Sequence, residues 1–389
     1  MHYFALAAIS GETDTSKRPA SEHIDLSLPR TIIINGKFLI AEATGVHRVA
    51  SELITHAYQL LAERNDLAQR LALELWVPAG GAERARQLGV PFRVVAPLSG
   101  RAWEQITLPR KAGKRIILSL CNVGVVAAHR SVTMIHDAQV RSTPDSYSIP
   151  FRLWYRFQHA ISGRRHERIL TVSEFSRQQL AHYGIAPQHK VGVILNGIDH
   201  LGQMDADSRI LDRLGLETGR FAVTLANTQA HKNIPMLLRA LAAPELAGIK
   251  LVLFGSAKAD DFRVLGHAIP DNAVFAGRVT DAELQALYEK ALCIAFPSST
   301  EGFGLPPLEA MRAGCPAIVA RAGALPEVCG DAALYADHHD PQDWVRVLSE
   351  LAIDSDLRAD LAARGRAQAA RFTWRDAATR LVEELLALR

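Results

Sequence analysis

Glu301 and Glu309 stand eight positions apart in STEGFGLPPLEAMRAG (residues 299–314), with Gly302 and Gly304 between them and a Pro306–Pro307 pair leading into a short apolar run. The prolines suit a first helical turn, where a missing N–H does no harm. The glycines let the backbone approach a ligand closely. The free amides ahead of Pro306, from Gly302 through Phe303 and Gly304 to Leu305, point at whatever lies at the positive end of the helix dipole. The loop glutamate and the helix glutamate can each accept hydroxyl hydrogen bonds from a different part of one ligand. A nucleotide sugar offers both the anion and the hydroxyls. A capped strand–turn–helix with a surface glutamate would equally explain this stretch alone, so the rest of the chain decides.

In TLANTQAHKNIPMLLRAL (residues 224–241), Lys232 lies between a strand and a helix that Asn233 can cap. The dipole disfavours a cation at a helix start unless an anion compensates it, and a diphosphate would. SVTMIHDAQV (131–140) puts His136 and Asp137 at the C-terminal end of another strand, where a local cap is the alternative to a ligand site. ATGVHRVASEL (43–53) puts Gly45 in the first strand-to-helix connection, as a close approach to phosphate or sugar or as a plain turn.

Elements that could position these residues follow from the hydrophobic rhythm. Strand-like runs TIIIN, LALELWV, RIILSL, SVTMI, RILTV and KVGVILNG alternate with helical patterns, and the rhythm restarts at FAVTLAN, IKLVLFGS, AVFAG and ALCIAFP. That implies an α/β chain with two Rossmann-like parallel-sheet domains facing an interdomain cleft, where open sheets bind ligands. The expected boundaries are a loose extension over 1–29, a first domain over 30–199, a linker over 200–217, a second domain over 218–370, and a final helical segment over 371–389.

The net charge of +3 over 389 residues argues against a nucleic-acid partner. Cys121, Cys293, Cys315 and Cys329 lie far apart without metal-ligand spacing and read as reduced core thiols. No metal site is expected, because the D-x-D at 205–207 falls in the linker and that at 354–356 in a polar helical stretch. No uncharged run reaches the ~20 residues that cross a bilayer, so the chain is expected in the cytoplasm.

The ordered pieces TGVHR (44–48), WEQITLPRK (103–111), IHDAQVRSTPDSYS (135–148), ILTVSEFSR (169–177), VILNGID (193–199), AHKN (230–233), GRVTDAEL (277–284), STEGFGLPPLEAM and GALPEV (323–328) resemble the GT-B glycosyltransferases of the large retaining family-four group. The resemblance covers most of the chain. It implies that Glu309 binds the nucleotide ribose, that Glu301 and the amides of Gly302, Phe303 and Gly304 hold the donor sugar, and that Lys232 holds the diphosphate. It further implies an acceptor-side first domain and a nucleotide-sugar-binding second domain, His136 at the reacting centre, Val279 beside the base, Gly45 near the diphosphate from the opposite domain, and a final helix crossing back to the first domain. Many relatives carry an Arg shortly before the phosphate-binding lysine. Here the stretch is ANTQA, leaving Asn227 as a hydrogen-bonding substitute.

The expected activity is retaining transfer of a hexose, without cofactor or metal, from a GDP- or UDP-sugar to a saccharide acceptor. Mannose from GDP-mannose is favoured and glucose from UDP-glucose is next. Rival readings are an epimerase or hydrolase on the same architecture and a non-catalytic nucleotide-sugar-binding regulator. The basic, aromatic segment FRLWYRFQHAISGRRHERI (151–169) suits anionic lipid headgroups and a polyprenyl-diphosphate-linked acceptor at the inner face of a membrane. Its alternative is a solvated helix with its aromatics in the core.

Overall fold

Runs such as Ile32–Ile34 and Cys293–Phe296 are apolar at consecutive rather than alternate positions, so they need cover on both faces, as in a parallel sheet. A computed structural model, which describes residues 28–42, 44–200 and 205–388, shows two such sheets. Apart from Leu28 and Pro29, the expected extension over 1–29 lies outside the described residues.

The first sheet holds β1 (Arg30–Asn35), β2 (Leu71–Val77), β3 (Phe92–Val94), β4 (Ile116–Ser119), β5 (Arg130–Met134), β6 (Arg168–Thr171) and β7 (Val191–Val193). The second holds β8 (Phe221–Leu225), β9 (Lys250–Phe254), β10 (Ala273–Gly277), β11 (Cys293–Phe296), β12 (Ala317–Ala320) and β13 (Leu334–Ala336). All pairings are parallel, in the orders β3-β2-β1-β4-β5-β6-β7 and β10-β9-β8-β11-β12-β13. The winding direction reverses between β1 and β4 in one sheet and between β8 and β11 in the other. At such a switch point the connections leave toward opposite faces and open a crevice beyond the strand ends.

The final helix, Trp374–Leu386, packs against the first domain's Gly45–Glu63 helix. Trp374, Leu381 and Leu385 are buried there, Arg375 pairs with Glu63 at 2.7 Å, and Arg168 donates to Glu384 at 2.7 Å. The Asp199 carboxylate accepts from the Trp374 amide at 2.8 Å and so fixes the crossover.

Two expectations need correction. Residues 200–217 are not simply a linker: Arg209–Leu214 is a helix whose Ile210 is fully buried, and Arg213 pairs with Glu283 at 2.7 Å. Its single buried apolar side chain leaves too weak a periodicity to read. The helix Ile149–Arg165 buries Gln158, His159, Ser162 and Gly163 rather than its aromatics. Ile149, Leu153 and Phe157 are exposed at four-residue spacing, which places them on one face.

Candidate active site

At the second switch point, β8 runs into the turn Ala230–Lys232, and β11 runs into the loop that precedes the helix Leu305–Arg312. Because β8 and β11 are neighbours, residues 69 positions apart meet. The Lys232 ammonium donates to Glu301 Oε1 at 2.8 Å and to Oε2 at 3.0 Å. The Phe296 ring lies beneath it, 5.9 Å from the nitrogen.

The loop's carbonyls are committed to protein donors. Gln139 Nε2 donates to Thr300 O at 3.2 Å, the Ala324 amide to Glu301 O at 3.0 Å, and Ser173 Oγ to Gly302 O at 2.6 Å. Ser176 Oγ also reaches Gly302 O, at 3.1 Å. Among the described hydrogen bonds none comes from the amides of Gly302, Phe303 or Gly304, so their donors remain for a ligand. Gly302 is required sterically, because a Cβ there would fall 2.7 Å from His136 O. Gly304 is required conformationally, with φ +109° at the helix start.

Several of these bonds cross the cleft. Ser146 Oγ lies 3.1 Å from His231 Nδ1, Arg48 pairs with Asp281 at 3.0 Å, and Arg278 with Glu42 at 3.1 Å. Glu327 accepts from the amides of Glu174 and Phe175 at 2.8 and 2.9 Å, capping the first domain's helix Glu174–His182 from the second. Ser173 caps the same helix, as its sequence position suggests.

The expected site residues fall as follows. The His136 ring is buried, its Nε2 lies 2.9 Å from Leu120 O, and burial pulls its pKa down to about 4. Its neighbour Asp137 faces the Lys232–Glu301 pair electrostatically, and desolvation raises its carboxyl above the usual range. Glu309 is buried on the helix, 3.4 Å from His200 Nε2. Trp374 Nε1, which can only donate, reaches His200 Nδ1 at 3.1 Å, so in the neutral ring the proton sits on Nε2 and faces Glu309. Gly45 opens onto free space, with nothing within 4 Å of an added Cβ.

Val279 sits half-buried between Arg278 and the capping residue Thr280. The Phe303 ring packs edge-on against Phe372, so only its backbone is available, and Leu305 opens the helix. Asn227 Oδ1 accepts from the Gln229 amide at 2.8 Å and folds the side chain back on its own loop rather than outward. Asn233 precedes its helix without capping it, since its amide donates to His338 O at 2.7 Å and Pro297 O at 3.3 Å. Arg48, His200 and Glu327 lay inside or next to quoted motifs, but only the domain pairing gives them partners.

Among the described residues no three His, Cys, Asp or Glu side chains cluster as a metal site. Asp207 pairs with Arg209, and Asp354 caps the helix Ser355–Ala369. A cavity of about 950 Å³ lies away from the cleft, lined by charges such as Arg168, Arg380 and Glu384 that pair with one another.

The family model described as "Glycosyl transferases group 1" matches residues 209–368, which contain Lys232, Glu301 and Glu309. The whole two-sheet arrangement matches the solved structure of Anabaena HepE in complex with UDP and glucose, with a TM-score of 0.69 at 18% identity over 92% of this chain and 100% of that one. Residues 209–368 belong to the group 1 glycosyltransferases, and the two-sheet arrangement has the GT-B fold. WaaG, a glycosyltransferase involved in lipopolysaccharide biosynthesis, shares the fold with a TM-score of 0.64 at 16% identity, over 91% of this chain and 99% of WaaG.

The chain is 29% identical over 264 residues to the O-antigen chain mannosyltransferase B of Escherichia coli, covering 65% of this chain and 69% of that one. It is 30% identical over 273 residues to the serotype-specific mannosyltransferase WbdA of the same species, covering 67% of this chain. It spans about a third, 33%, of WbdA's length.

Proposed function

We propose that the chain is a retaining hexosyltransferase of polysaccharide biosynthesis, moving mannose from GDP-mannose to a lipid-linked saccharide. The observation that carries this reading is the meeting of Lys232, Glu301 and the unengaged amides of Gly302–Gly304 at one switch point. Breaking a glycosyl–phosphate bond builds negative charge on phosphate oxygens. A preorganised ammonium and helix-start amides stabilise that charge without reorganising. Glu301 accepts sugar hydroxyls once the phosphate draws Lys232 away, and Glu309, beside His200, accepts from the ribose. Asp137 and the His136 backbone approach this loop from the first domain. In front-face attack the leaving phosphate takes the acceptor's proton, so no carboxylate nucleophile is needed.

The mannosyltransferase relatives favour mannose, and the O-antigen name of mannosyltransferase B favours a polysaccharide product. A UDP-glucose donor is the second reading, favoured by the fold shared with a protein solved with UDP and glucose. No described helix is long and apolar enough to cross a membrane. The stripe Ile149, Leu153, Phe157 beside Arg152 and Arg156 supports peripheral contact with anionic lipid instead.

A thermal-shift screen of nucleotides and nucleotide sugars tests the donor, because a ligand of the folded state raises its melting temperature. GDP and GDP-mannose should shift it most. A larger shift with UDP-glucose selects the second reading, and binding without turnover under any acceptor makes the chain a regulator. Flotation with anionic vesicles, lost with L153E, tests the membrane contact.

A further inference from the structure

The two segments that join the domains run side by side. The Ile198 amide donates to Phe372 O at 3.1 Å, and the Trp374 amide to Asp199 Oδ1 at 2.8 Å. Gly197 permits this contact, since a Cβ there would fall 2.2 Å from the Trp374 nitrogen. Residues 196–200 and 372–374 thus form one paired crossing, and any change in the angle between the domains is taken up there.

The crossing touches the second switch point twice. Phe372 packs edge-on against Phe303 of the glycine loop, with ring centres 5.7 Å apart, and His200 reaches the helix Leu305–Arg312 at Glu309. We propose that His200 is a positioning residue for the nucleotide: its Nε2–H closes onto Glu309 when ribose hydroxyls occupy that carboxylate, and so carries donor occupancy to the crossing. The assignment of the ribose to Glu309 rests on the transferase reading above.

The His200 side chain is only 8% exposed, yet its Nε2 has no hydrogen-bond partner among the described residues. Trp374 Nε1 donates to Nδ1 at 3.1 Å, which leaves the proton of the neutral ring on Nε2. Glu309 Oε1 stands 3.4 Å away. That is beyond the roughly 2.7–3.2 Å of an N–H···O bond. A buried donor left unpaired is destabilising, and each one in a folded chain calls for a reason. Here the reason is a bond made only when a ligand is present.

A carboxylate has room for two ribose hydroxyls and one imidazole N–H together, and the hydroxyls fix its plane. Closing the gap to His200 then takes a shift of about half an ångström. The shift falls on the residue next to Asp199, which holds the Trp374 amide, so it tightens the crossing. Other groups face Glu309 without this reach. Arg48 is engaged by Asp281 at 3.0 Å, and Tyr288, whose buried hydroxyl also lacks a partner, lies within the second domain.

Hydrogen exchange on the full chain tests this with GDP and 2′,3′-dideoxy-GDP, or with the matching uridine pair where UDP binds more tightly. The intact nucleotide should slow exchange of the Ile198 and Trp374 amides by about tenfold, and the dideoxy form should not. Isothermal titration should show the intact nucleotide binding at least about tenfold more tightly. His200→Phe keeps the ring's bulk without its donor. It should abolish the slowing and cut the hydroxyl preference by roughly threefold or more. His200→Gln, which keeps an N–H donor, should restore part of both. A merely structural role would weaken both nucleotides alike, and because each comparison is made within one variant, a loss of stability in His200→Phe does not mask the result.

Equal slowing by the two nucleotides in the wild type, or wild-type behaviour in His200→Phe, overturns the proposal while leaving the donor site in place. Failure of every nucleoside diphosphate to bind the wild type would overturn the transferase reading, and the role of His200 would fall with it.

Discussion

Each domain holds one lysine–glutamate pair where its sheet reverses direction, Lys37–Glu104 in the first and Lys232–Glu301 in the second. Both lysines meet their carboxylate at close range, yet the surroundings differ. Glu104 is also held by Asn35 and rides on a π-helical turn, Trp103–Thr107, so its pair stays closed. Both oxygens of Glu301 are taken by Lys232, so a diphosphate that draws the lysine away frees the whole carboxylate. On the proposed function, one pair is a fixed polar wall and the other is a latch that a ligand would open. A carboxylate next to a cation is thus not one device but two, and what decides between them is who else holds the carboxylate.

The difference can be broken at several points. Lys232→Met should have the largest effect, cutting transfer by about 10²–10³-fold, as for loss of one preorganised transition-state donor; steady-state rates with a nucleotide-sugar donor measure it, and near-normal rates would remove the lysine from the site. Glu301→Gln should separate rate from binding. Transfer should fall by tenfold or more, while the nucleoside diphosphate alone binds more tightly because Lys232 no longer has to leave a partner. Isothermal titration reads the second half, and weaker diphosphate binding would contradict the latch.

Stability should invert the ranking. Glu104→Gln leaves Lys37 half-buried and unpaired and should cost about 1.5–3 kcal/mol in denaturant unfolding. Glu301→Gln should cost less, since its lysine is poised to take another anion.

Acid provides the gentlest probe. Burial holds His136, His159 and His166 of the first domain, and His231 of the second, at about 4. Below pH 6.5 the unfolded chain takes up protons that these folded imidazoles refuse. Stability should therefore be flat above 6.5 and fall as pH drops toward 4. Asp137, raised by burial, opposes this in the first domain, but it is one group against four, since burial lowers His47 there as well. Hydrogen exchange should show the first domain losing protection before the second.

Much of this is legible in the sequence. Strands such as β8, β9 and β11 announce themselves as continuous apolar runs, and the Pro306–Pro307 pair and Gly314 bound the helix between them. β3 and β13 were not readable, being three residues long and incompletely buried. The residue types of the proposed donor site are readable because glycine, proline and lysine each restrict the backbone or charge locally. Their pairings are not. Lys232 meets Glu301 only through the neighbouring of β8 and β11, and Glu104 meets Lys37 only through the neighbouring of β1 and β4. Neither Glu327 nor His200 has a local reason to matter until the domains face each other.

The crossing of Trp374–Leu386 onto Gly45–Glu63 also bears on how the protein is made. Val49, Leu53 and Ile54 belong to the same hydrophobic cluster as Leu381, Val382 and Leu385, residues translated more than three hundred codons later. At ~5–20 residues per second the early lobe waits many seconds with one greasy helix uncovered, and during that wait it is a natural client for a chaperone.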